Sequence, residues 1–280
     1  MRESRSNEPT VVLGGTGKIG RRVVRLLRER GVPVRVASRS GERRFDWTDR
    51  TTWEPALRGA RSVYLVYLPD LASPDAAPRL REVGELAVSQ GAERLVFQSG
   101  GGWPEAVPAE EAVRKAGAAW TVLRPAWFAQ NFSEDLFLEP LRRGEVRLSA
   151  GDGGEPFVDA RDVAEMAVAA LTEDVHAGRV YELSGPESLS FGDAVARIAR
   201  ASGRDIRYVS LTPERFESEL VRTGVPAEFV ALELGRFAAV RSGAYAEVSD
   251  GVRRVLGREP RSFAEYVRET AATGVWANAG

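Results

Sequence analysis

The sequence contains no cysteine and only one histidine among its 280 residues. Without cysteine, the chain can form no disulfide, no thiolate nucleophile and no thiolate metal ligand. The single histidine, His176, lies in the polar segment EDVHAG, and we expect it on a surface loop. We therefore predict no metal site in this protein.

The sequence also lacks an excess of either charge and any long apolar run. Its formal net charge is −1, which argues against a broad basic surface for nucleic acid. No run reaches membrane-spanning length, and the N-terminal MRESRSNEP has no apolar signal core. We therefore expect a soluble, cytoplasmic protein that binds neither nucleic acid nor membranes.

Glycine, by contrast, is concentrated in Thr10–Gly20, which reads TVVLGGTGKIG. A short apolar strand leads into Gly14, Gly17 and Gly20, and an amphipathic helix follows directly. Glycine lets the backbone approach a dinucleotide pyrophosphate, and a helix N-terminus offers free N–H groups to it. Because the second strand-like run, Val34–Ser38, completes the unit, the stretch predicts a dinucleotide-binding loop rather than a plain turn.

The end of that second strand indicates which dinucleotide is bound. Sites for NAD usually place Asp or Glu there to bind the ribose hydroxyls, whereas this strand ends in Ser38 and Arg39. An arginine can pair with a 2′-phosphate, so we predict NADPH in preference to NADH. The alternative, that Arg39 is one more exposed arginine, stays open. On the first helix we expect a solvated basic face, formed by Arg21, Arg22, Arg25, Arg28 and Arg30.

Apolar strand segments alternate with amphipathic helices through the first half of the chain. Ser62–Leu68 is nearly all apolar, as in a strand buried on both faces of a parallel sheet. The alternation predicts an α/β fold with a doubly wound parallel sheet. Further along, Phe132–Arg143 is predicted as one amphipathic helix. We predict a Rossmann core over residues 1–130 and, over 131–280, a smaller, mostly helical substrate lobe interleaved with the remaining core elements.

Four segments together resemble a known family. They are GGTGKIG, the strand end ASR, EEAVRKAGAAWTVLRPAWFAQNF and PFVDARDVAEMAVAAL. The set resembles the NmrA-like branch of the atypical short-chain dehydrogenase/reductases, near the ergot-alkaloid-type iminium reductases and related bacterial NADPH-dependent reductases. Leu123-Arg124-Pro125, followed by Phe128 and Asn131, is the most specific part of the match.

The resemblance implies an extended Rossmann fold and assigns residues to a cofactor site. The pyrophosphate, the 2′-phosphate, the adenosine side and the nicotinamide would be held by Gly14, Thr16, Gly17, Lys18, Ile19, Gly20, Ser38, Arg39, Tyr67, Leu68, Ser99, Gly100, Pro125, Ala126 and Trp127. A substrate pocket would be formed by Trp103, Trp127, Phe128, Asn131 and Phe132. Each of these rings has core packing as its alternative role. Asn131 either hydrogen-bonds the substrate or fixes the turn after the strand.

One departure from the family concerns proton donation. Ordinary short-chain dehydrogenases carry a Tyr-x-x-x-Lys pair, but the matching lysine position here is Ala106, no tyrosine is near, and Lys115 lies too far along the helix. Either another group, with Tyr67 and Tyr245 as candidates, protonates the product, or the substrate needs no proton, or no reduction occurs. An iminium carbon needs only a positioned hydride, and aromatic rings attract cations.

These observations predict an NADPH-dependent reductase. Its substrate would be a small organic molecule, cyclic or aromatic, reduced at an imine or iminium, enone, carbonyl or quinone. The first alternative is a non-catalytic, NAD(P)-sensing regulatory protein. The second is a non-redox isomerase or cyclase on the same fold. The aromatic residues around Pro125 favour the enzyme, because a sensor needs no organic pocket.

Overall fold

The computed structural model describes residues 8–277, which fold as two compact units. Unit 1 comprises the chain up to Pro125 together with Ala160–Leu183 and Gly251–Arg258. Unit 2 comprises Ala126–Asp159, Ser184–Asp250 and the chain from Glu259 onward. Of the N-terminal MRESRSNEP, all but Glu8 and Pro9 lies outside the described residues. Within residues 8–277, none of the helices combines the length and the apolar character that a membrane span requires.

Unit 1 is built on a parallel sheet of seven strands in the order β3-β2-β1-β4-β5-β6-β9, numbered along the whole chain. The strands are β1 (Thr10–Leu13), β2 (Val34–Ser38), β3 (Arg43–Arg44), β4 (Ser62–Val66), β5 (Arg94–Gln98), β6 (Ala119–Pro125) and β9 (Arg179–Leu183). The strand order reverses between β1 and β4. In doubly wound sheets, dinucleotides bind at this reversal, outside the carboxyl ends of the strands.

Helices cover both faces of this sheet. They are α1 (Gly20–Glu29), α2 (Trp53–Leu57), α3 (Ala76–Ser89), α4 (Val107–Arg114), α7 (Ala160–Thr172) and α11 (Gly251–Leu256). Val63 and Leu65 share a buried core with α2, α3 and α4. The pleat directs Tyr64 to the opposite face, where α7 contacts β4, β5, β6 and α1. Burial on both faces explains why the strands read as continuous apolar runs.

Unit 2 is mostly helical and contains two small strand pairs. The strands β7 (Glu145–Leu148) and β11 (Arg207–Ser210) pair in parallel, and β8 (Gly154–Glu155) pairs antiparallel with β10 (Leu189–Ser190). Its helices are α5 (Asn131–Glu134), α6 (Leu138–Arg142), α8 (Phe191–Ser202), α9 (Pro213–Arg222), α10 (Ala227–Arg241) and α12 (Phe263–Ala271). Side-chain caps open three of them, from Ser190, Thr212 and Ser262.

The structure confirms the doubly wound sheet and the helical second half, and it corrects three local predictions. The helix predicted over Phe132–Arg143 is two short helices, because Asp135 leaves the helical backbone at φ −157° and ψ −140°. The strand predicted over Ser62–Leu68 ends at Val66.

The prediction that His176 lies on a surface loop is also wrong. The residue ends a 3₁₀ turn, and only 5% of its surface is exposed. Its Nδ1 lies 2.9 Å from the Tyr181 hydroxyl, and the Thr121 hydroxyl donates to its carbonyl oxygen at 2.8 Å. These two contacts with strands β9 and β6 hold the histidine inside unit 1.

Phe132 lies at the centre of the aromatic core of unit 2. Its ring is fully buried, with ring centroids of Phe137, Phe157 and Phe263 at 5.0, 5.3 and 5.6 Å. We expect Phe132→Ala to lower the free energy of unfolding by about 3–5 kcal/mol in chemical denaturation, because it leaves a cavity in a packed core. Leu136→Ala is the matched control, since 60% of Leu136 is exposed. Equal losses for the two variants would contradict the placement of Phe132.

Candidate active site

The glycine loop between β1 and α1 brings the backbone of the loop against the start of the helix. Gly14 has φ +66°, in the left-handed region that favours glycine. A Cβ at Gly20 would lie 2.1 Å from the Gly14 carbonyl oxygen, so only glycine fits there. Thr16 and Gly17, at the tip of the loop, are exposed. The loop therefore presents its backbone to solvent at the carboxyl end of β1.

The first turn of α1 is suited to an anion. It contains no acidic residue, and no side chain caps it, because the N-cap position is the apolar Ile19. The N-terminus of a helix carries partial positive charge and orients its N–H groups outward. Together with the glycine cradle, the turn fits the pyrophosphate of a dinucleotide.

Ser38 connects the glycine loop to the end of β2. Its Oγ accepts a hydrogen bond from the Thr16 hydroxyl at 3.0 Å and one from the Ser40 amide at 3.3 Å. Arg39 follows and is exposed. The pKa of the Asp46 carboxyl is lowered, chiefly because the Thr48 backbone and hydroxyl donate to it, and Arg39 contributes a smaller electrostatic part. The predicted residues Thr16, Ser38 and Arg39 are thus neighbours at one edge of the sheet.

A cavity of about 520 Å³ adjoins the glycine loop in unit 1. It is lined by Gly15, Thr16, Arg21, Val24, Arg25, Arg28, Glu29, Val36, Ser40, Gly41 and Glu42. Arg28 pairs with Glu42 at 2.5 Å, and Arg25 lies 3.5 Å from Glu29. Three of the five arginines that the sequence predicted as a solvated face, Arg21, Arg25 and Arg28, therefore border this cavity on one side. Helical periodicity alone could not reveal the β2–β3 segment that completes it.

Of the other predicted cofactor residues of unit 1, Pro125 ends β6, and four more follow the ends of β4 and β5. Tyr67 is buried against Trp47, with ring centroids 4.9 Å apart, whereas Leu68 is mostly exposed. Gly100 packs so closely on the predicted substrate residue Trp103 that a Cβ there would lie 2.4 Å from its ring. Ser99 is buried, and its hydroxyl donates to Glu110 at 2.8 Å.

Glu110 is the centre of an ionic network that the sequence did not predict. This buried carboxylate accepts two hydrogen bonds from the Arg124 guanidinium, both at 2.7 Å, and one from Arg114 at 3.2 Å. Arg124 also donates to Glu182 at 2.9 Å, and the contacts with Glu110 raise the pKa of Arg124 above its ordinary value. The network fixes Ser99 relative to the strand that ends in Pro125.

Two of the predicted substrate residues, Trp127 and Phe132, belong to one aromatic cluster of unit 2, whereas Trp103 packs against the core of unit 1. The half-buried Trp127 has ring centroids of Phe137, Phe191 and Phe237 at 6.0, 5.6 and 5.6 Å. Phe132 is fully buried in the same cluster, and the half-buried Tyr245 packs against it.

Backbone contacts hold the segment around Trp127, from Ala126 to Asn131. Ala126 and Phe128 are half-buried, and Phe128 forms a parallel bridge with Val158. Asn131 is buried, and its backbone amide donates to the Phe128 carbonyl at 3.0 Å. This turn follows Trp127, whose half-buried ring packs at the margin of the aromatic cluster.

Glu155 is a second residue that the sequence analysis missed. Only 1% of it is exposed, and its Oε1 accepts the Trp127 amide at 3.1 Å. Burial raises the pKa of its carboxyl from the ordinary 4.5 to about 8, because the carboxylate form loses its hydration inside the protein. The hydrogen bond from the Trp127 amide lowers the pKa, but by less than burial raises it. The sequence signal was an acidic residue between Gly154 and the apolar Pro156-Phe157.

The raised pKa of Glu155 predicts how stability depends on pH. Between pH 4.5 and about 8 the unfolded chain releases a proton that the folded chain keeps, so stability falls as pH rises. We expect Glu155→Gln to gain stability relative to the wild type over this range, by on the order of 4 kcal/mol when complete. Denaturation at pH 5 and pH 8.5 would measure the difference.

The matched control for this experiment is Glu145→Gln, in which an exposed, ion-paired carboxylate of the same unit is removed. Glu145 is 43% exposed at its side chain and pairs with Arg147 at 2.8 Å. An identical pH dependence in Glu155→Gln and Glu145→Gln would contradict a protonated Glu155.

The residues described by the structure contain no group of three or more His, Asp or Glu side chains arranged to hold a metal ion.

Comparison with known proteins agrees with this geometry. A family model described as NAD(P)H-binding matches residues 14–174, which include the glycine loop. Agroclavine dehydrogenase of Claviceps fusiformis is 32% identical over 95% of this chain and 98% of that protein. NAD(P)H azoreductase of Xenophilus azovorans is 32% identical over 94% of this chain and 98% of that protein.

Solved structures share the fold. The NADPH-dependent quinone oxidoreductase of Escherichia coli, solved in complex with NADPH, matches 93% of this chain and 99% of its own with a TM-score of 0.77 and 22% identity. The family predicted from the sequence is thereby confirmed: the chain belongs to the NAD(P)H-binding family of Rossmann-type proteins and is an NAD(P)H-dependent oxidoreductase.

Proposed function

We propose that this enzyme binds NADPH in preference to NADH and reduces a small aromatic or cyclic organic substrate. The reducible group would be an imine or iminium, an enone, a carbonyl or a quinone. The observation that carries the proposal is one edge of unit 1, where the start of α1 has no side-chain cap and no acidic residue in its first turn. The glycine loop and Arg39, after the end of β2, lie next to it.

The cofactor would lie along this edge. Gly14, Thr16, Gly17, Lys18, Ile19 and Gly20 would hold the pyrophosphate, with Tyr67 and Leu68 on the adenosine side. Ser99 and Gly100 would contact the nicotinamide ribose, and Pro125, Ala126 and Trp127 the nicotinamide. The dihydronicotinamide supplies a hydride when bound. The protein would position the nicotinamide ring, and the Glu110 network would help because it holds Ser99 in place.

The charges near the end of β2 support NADPH. Arg39 is exposed beside Ser38, and Arg21, Arg25 and Arg28 border the adjoining cavity. The carboxylates on that wall are Glu29 and Glu42, which are within salt-bridge distance of Arg25 and Arg28. A 2′-phosphate would meet an excess of positive charge there, and a guanidinium can bind it through two parallel hydrogen bonds.

The aromatic cluster of unit 2 supports the substrate class. Trp127 presents a half-buried ring among three phenylalanine rings, and aromatic surfaces bind flat organic molecules and cations. One relative is named for agroclavine and another for azo compounds. Trp103, Phe128 and Asn131 would complete the contacts, while Phe132 supports Trp127 from within the cluster.

Cofactor selectivity tests the role of Arg39. We expect Arg39→Asp to raise the Kd for NADPH by roughly 10- to 150-fold, because a charged hydrogen bond is lost. The Kd for NADH should change little, since NADH has no 2′-phosphate. Fluorescence titration of the wild type and the variant with each cofactor measures both effects. Equal losses for the two cofactors would refute the assignment.

Gly17→Val serves as a control within the loop. A Cβ at Gly17 would lie 3.2 Å from the Gly14 carbonyl oxygen, which a small shift relieves, so the fold should persist. We expect this variant to lose both cofactors, because the new side chain occupies the exposed face of the loop. Undiminished affinity in a folded Gly17→Val protein would remove the loop from the cofactor site.

Turnover tests the substrate class. We expect the wild type to oxidise NADPH in the presence of a quinone, an azo dye or a cyclic iminium salt, and Trp127→Ala to raise KM for the same compounds because the ring surface is lost. Because Trp127 is also placed against the nicotinamide, the Kd for NADPH is measured in the same variant, and we expect it to rise less than KM for the organic substrate. Absence of NADPH oxidation with every compound of this panel would contradict the proposed substrate class.

A further inference from the structure

Among the described residues of unit 2, three buried side-chain polar atoms lack a hydrogen-bond partner: the Tyr266 hydroxyl, Oε2 of Glu155 and Nε1 of Trp127. The last two belong to residues that contact each other. The pair is joined by the Trp127 amide, which donates to the other carboxyl oxygen of Glu155 at 3.1 Å. A buried polar group without a partner costs about 1–3 kcal/mol of stability. Two such groups on two residues in contact therefore call for an explanation. A polar ligand that contacts both residues would supply it.

Among residues 8–277, no cationic side chain pairs with Glu155. The antiparallel partner strand β10 has no ionisable side chain. Helix α10, which contacts β8, carries Glu228 and three other charged residues. Arg236 pairs with Glu233 at 3.2 Å, and Arg241 donates to the Ser149 carbonyl at 2.7 Å.

The turns on either side of β8 also leave Glu155 without a counter-charge. A Cβ on Gly154 would meet Ser188 and Ala246. Next to Ser188, Glu187 pairs with Arg197 at 2.6 Å, and next to Ala246, Glu247 is exposed. A carboxyl in such a setting keeps its proton near neutral pH, and the raised pKa of Glu155, about 8, agrees with this.

A protonated Glu155 and the Trp127 indole are both hydrogen-bond donors. Two donors beside an aromatic ring suit an acceptor atom on a flat, uncharged molecule. A cation would instead need an ionised carboxylate. The pair therefore favours an uncharged C=O, C=N or N=N group over an iminium ion.

We propose that Glu155 is the catalytic acid of this enzyme, which hydrogen-bonds the heteroatom of an uncharged C=O, C=N or N=N substrate beside Trp127 and protonates it during reduction. The inference rests on the proposed function. It supplies the donor that the absent Tyr-x-x-x-Lys pair leaves open, and Tyr67 and Tyr245 are not needed for it.

The step balances in atoms and electrons. A hydride from the dihydronicotinamide, carrying two electrons, forms a bond to one atom of the substrate double bond. The π pair moves to the heteroatom, which takes the proton as the O–H bond of Glu155 breaks. The carboxylate that remains regains a proton from solvent, so NADPH, one proton and the substrate become NADP⁺ and the reduced product.

Glu155→Gln tests this with two substrates on the full-length protein. Gln keeps the acceptor for the Trp127 amide but cannot release a proton. We expect kcat with a neutral azo dye or quinone to fall by about 10²–10⁴-fold. Turnover of a quaternary iminium salt, which needs no proton, should persist, and the Kd for NADPH should not change. In the wild type, kcat should fall as pH rises through about 8, the pKa of Glu155, for the neutral substrate but not for the iminium salt.

A readout independent of turnover is the infrared signal of a protonated carboxyl. We expect the wild type at pH 7 to show a band that Glu155→Gln removes and that shifts when a neutral quinone is added without NADPH. Glu145→Gln should keep the band and both turnover rates. If Glu155→Gln does not fold, Trp127→Phe is the second variant, because it keeps an aromatic ring but removes Nε1. Its KM should then rise more for the neutral substrate than for the iminium salt.

Three outcomes would overturn the role of Glu155: wild-type turnover of the neutral substrate in Glu155→Gln, equal losses for neutral and iminium substrates, or no carboxyl band that shifts with quinone. The proposed function fails separately, if the wild type binds NADPH but reduces neither substrate. In that case the infrared shift still decides whether Glu155 binds the acceptor.

Discussion

The contact between Gly14 and Gly20 constrains the edge of unit 1 at which we propose that the cofactor binds. A single added carbon at Gly20 would overlap the Gly14 carbonyl, so the helix can start at this point only because Gly20 lacks a side chain. The close approach fixes α1 against the sheet and leaves the loop tip, Thr16 and Gly17, exposed to solvent. Helix dipole, backbone donors and neighbouring arginines then act at the same place, which is where a dinucleotide needs them.

Two buried glutamates show how differently a protein can treat the same side chain. Glu110 accepts hydrogen bonds from Ser99, Arg114 and Arg124, so its charge is compensated and it organises the ends of β5 and β6. Glu155 accepts one amide and has a free oxygen. A buried charge without a partner is expensive, and such a group keeps its proton instead. The first arrangement gives rigidity, and the second keeps a proton on a buried carboxyl beside the Trp127 backbone.

The aromatic residues of unit 2 serve packing before anything else. Phe132, Phe157, Phe191 and Phe263 form edge-to-face and tilted contacts that fill the core. Trp127 lies at the margin of this cluster, half-buried, with its indole nitrogen unpaired. The same rings that stabilise the unit therefore hold Trp127 in one orientation. Of the two roles that the sequence left open for these rings, core packing is seen at the centre of the cluster, and the substrate role of Trp127 at its margin is our proposal.

The sequence by itself determined the doubly wound sheet, the glycine loop and the family, because these depend on local signals. Apolar runs, glycine spacing and helix caps such as Ser262 are read from neighbours in the chain. It also located Arg39 at the end of β2. Only the tertiary structure decided that His176 is buried against Tyr181, and that the Arg21 side of α1 borders a cavity. It alone decided that Ala160–Leu183 and Gly251–Arg258 return to unit 1, and that Glu155 lies beside Trp127 without a counter-charge. These features depend on contacts between residues far apart in the chain, and local periodicity carries no information about such contacts.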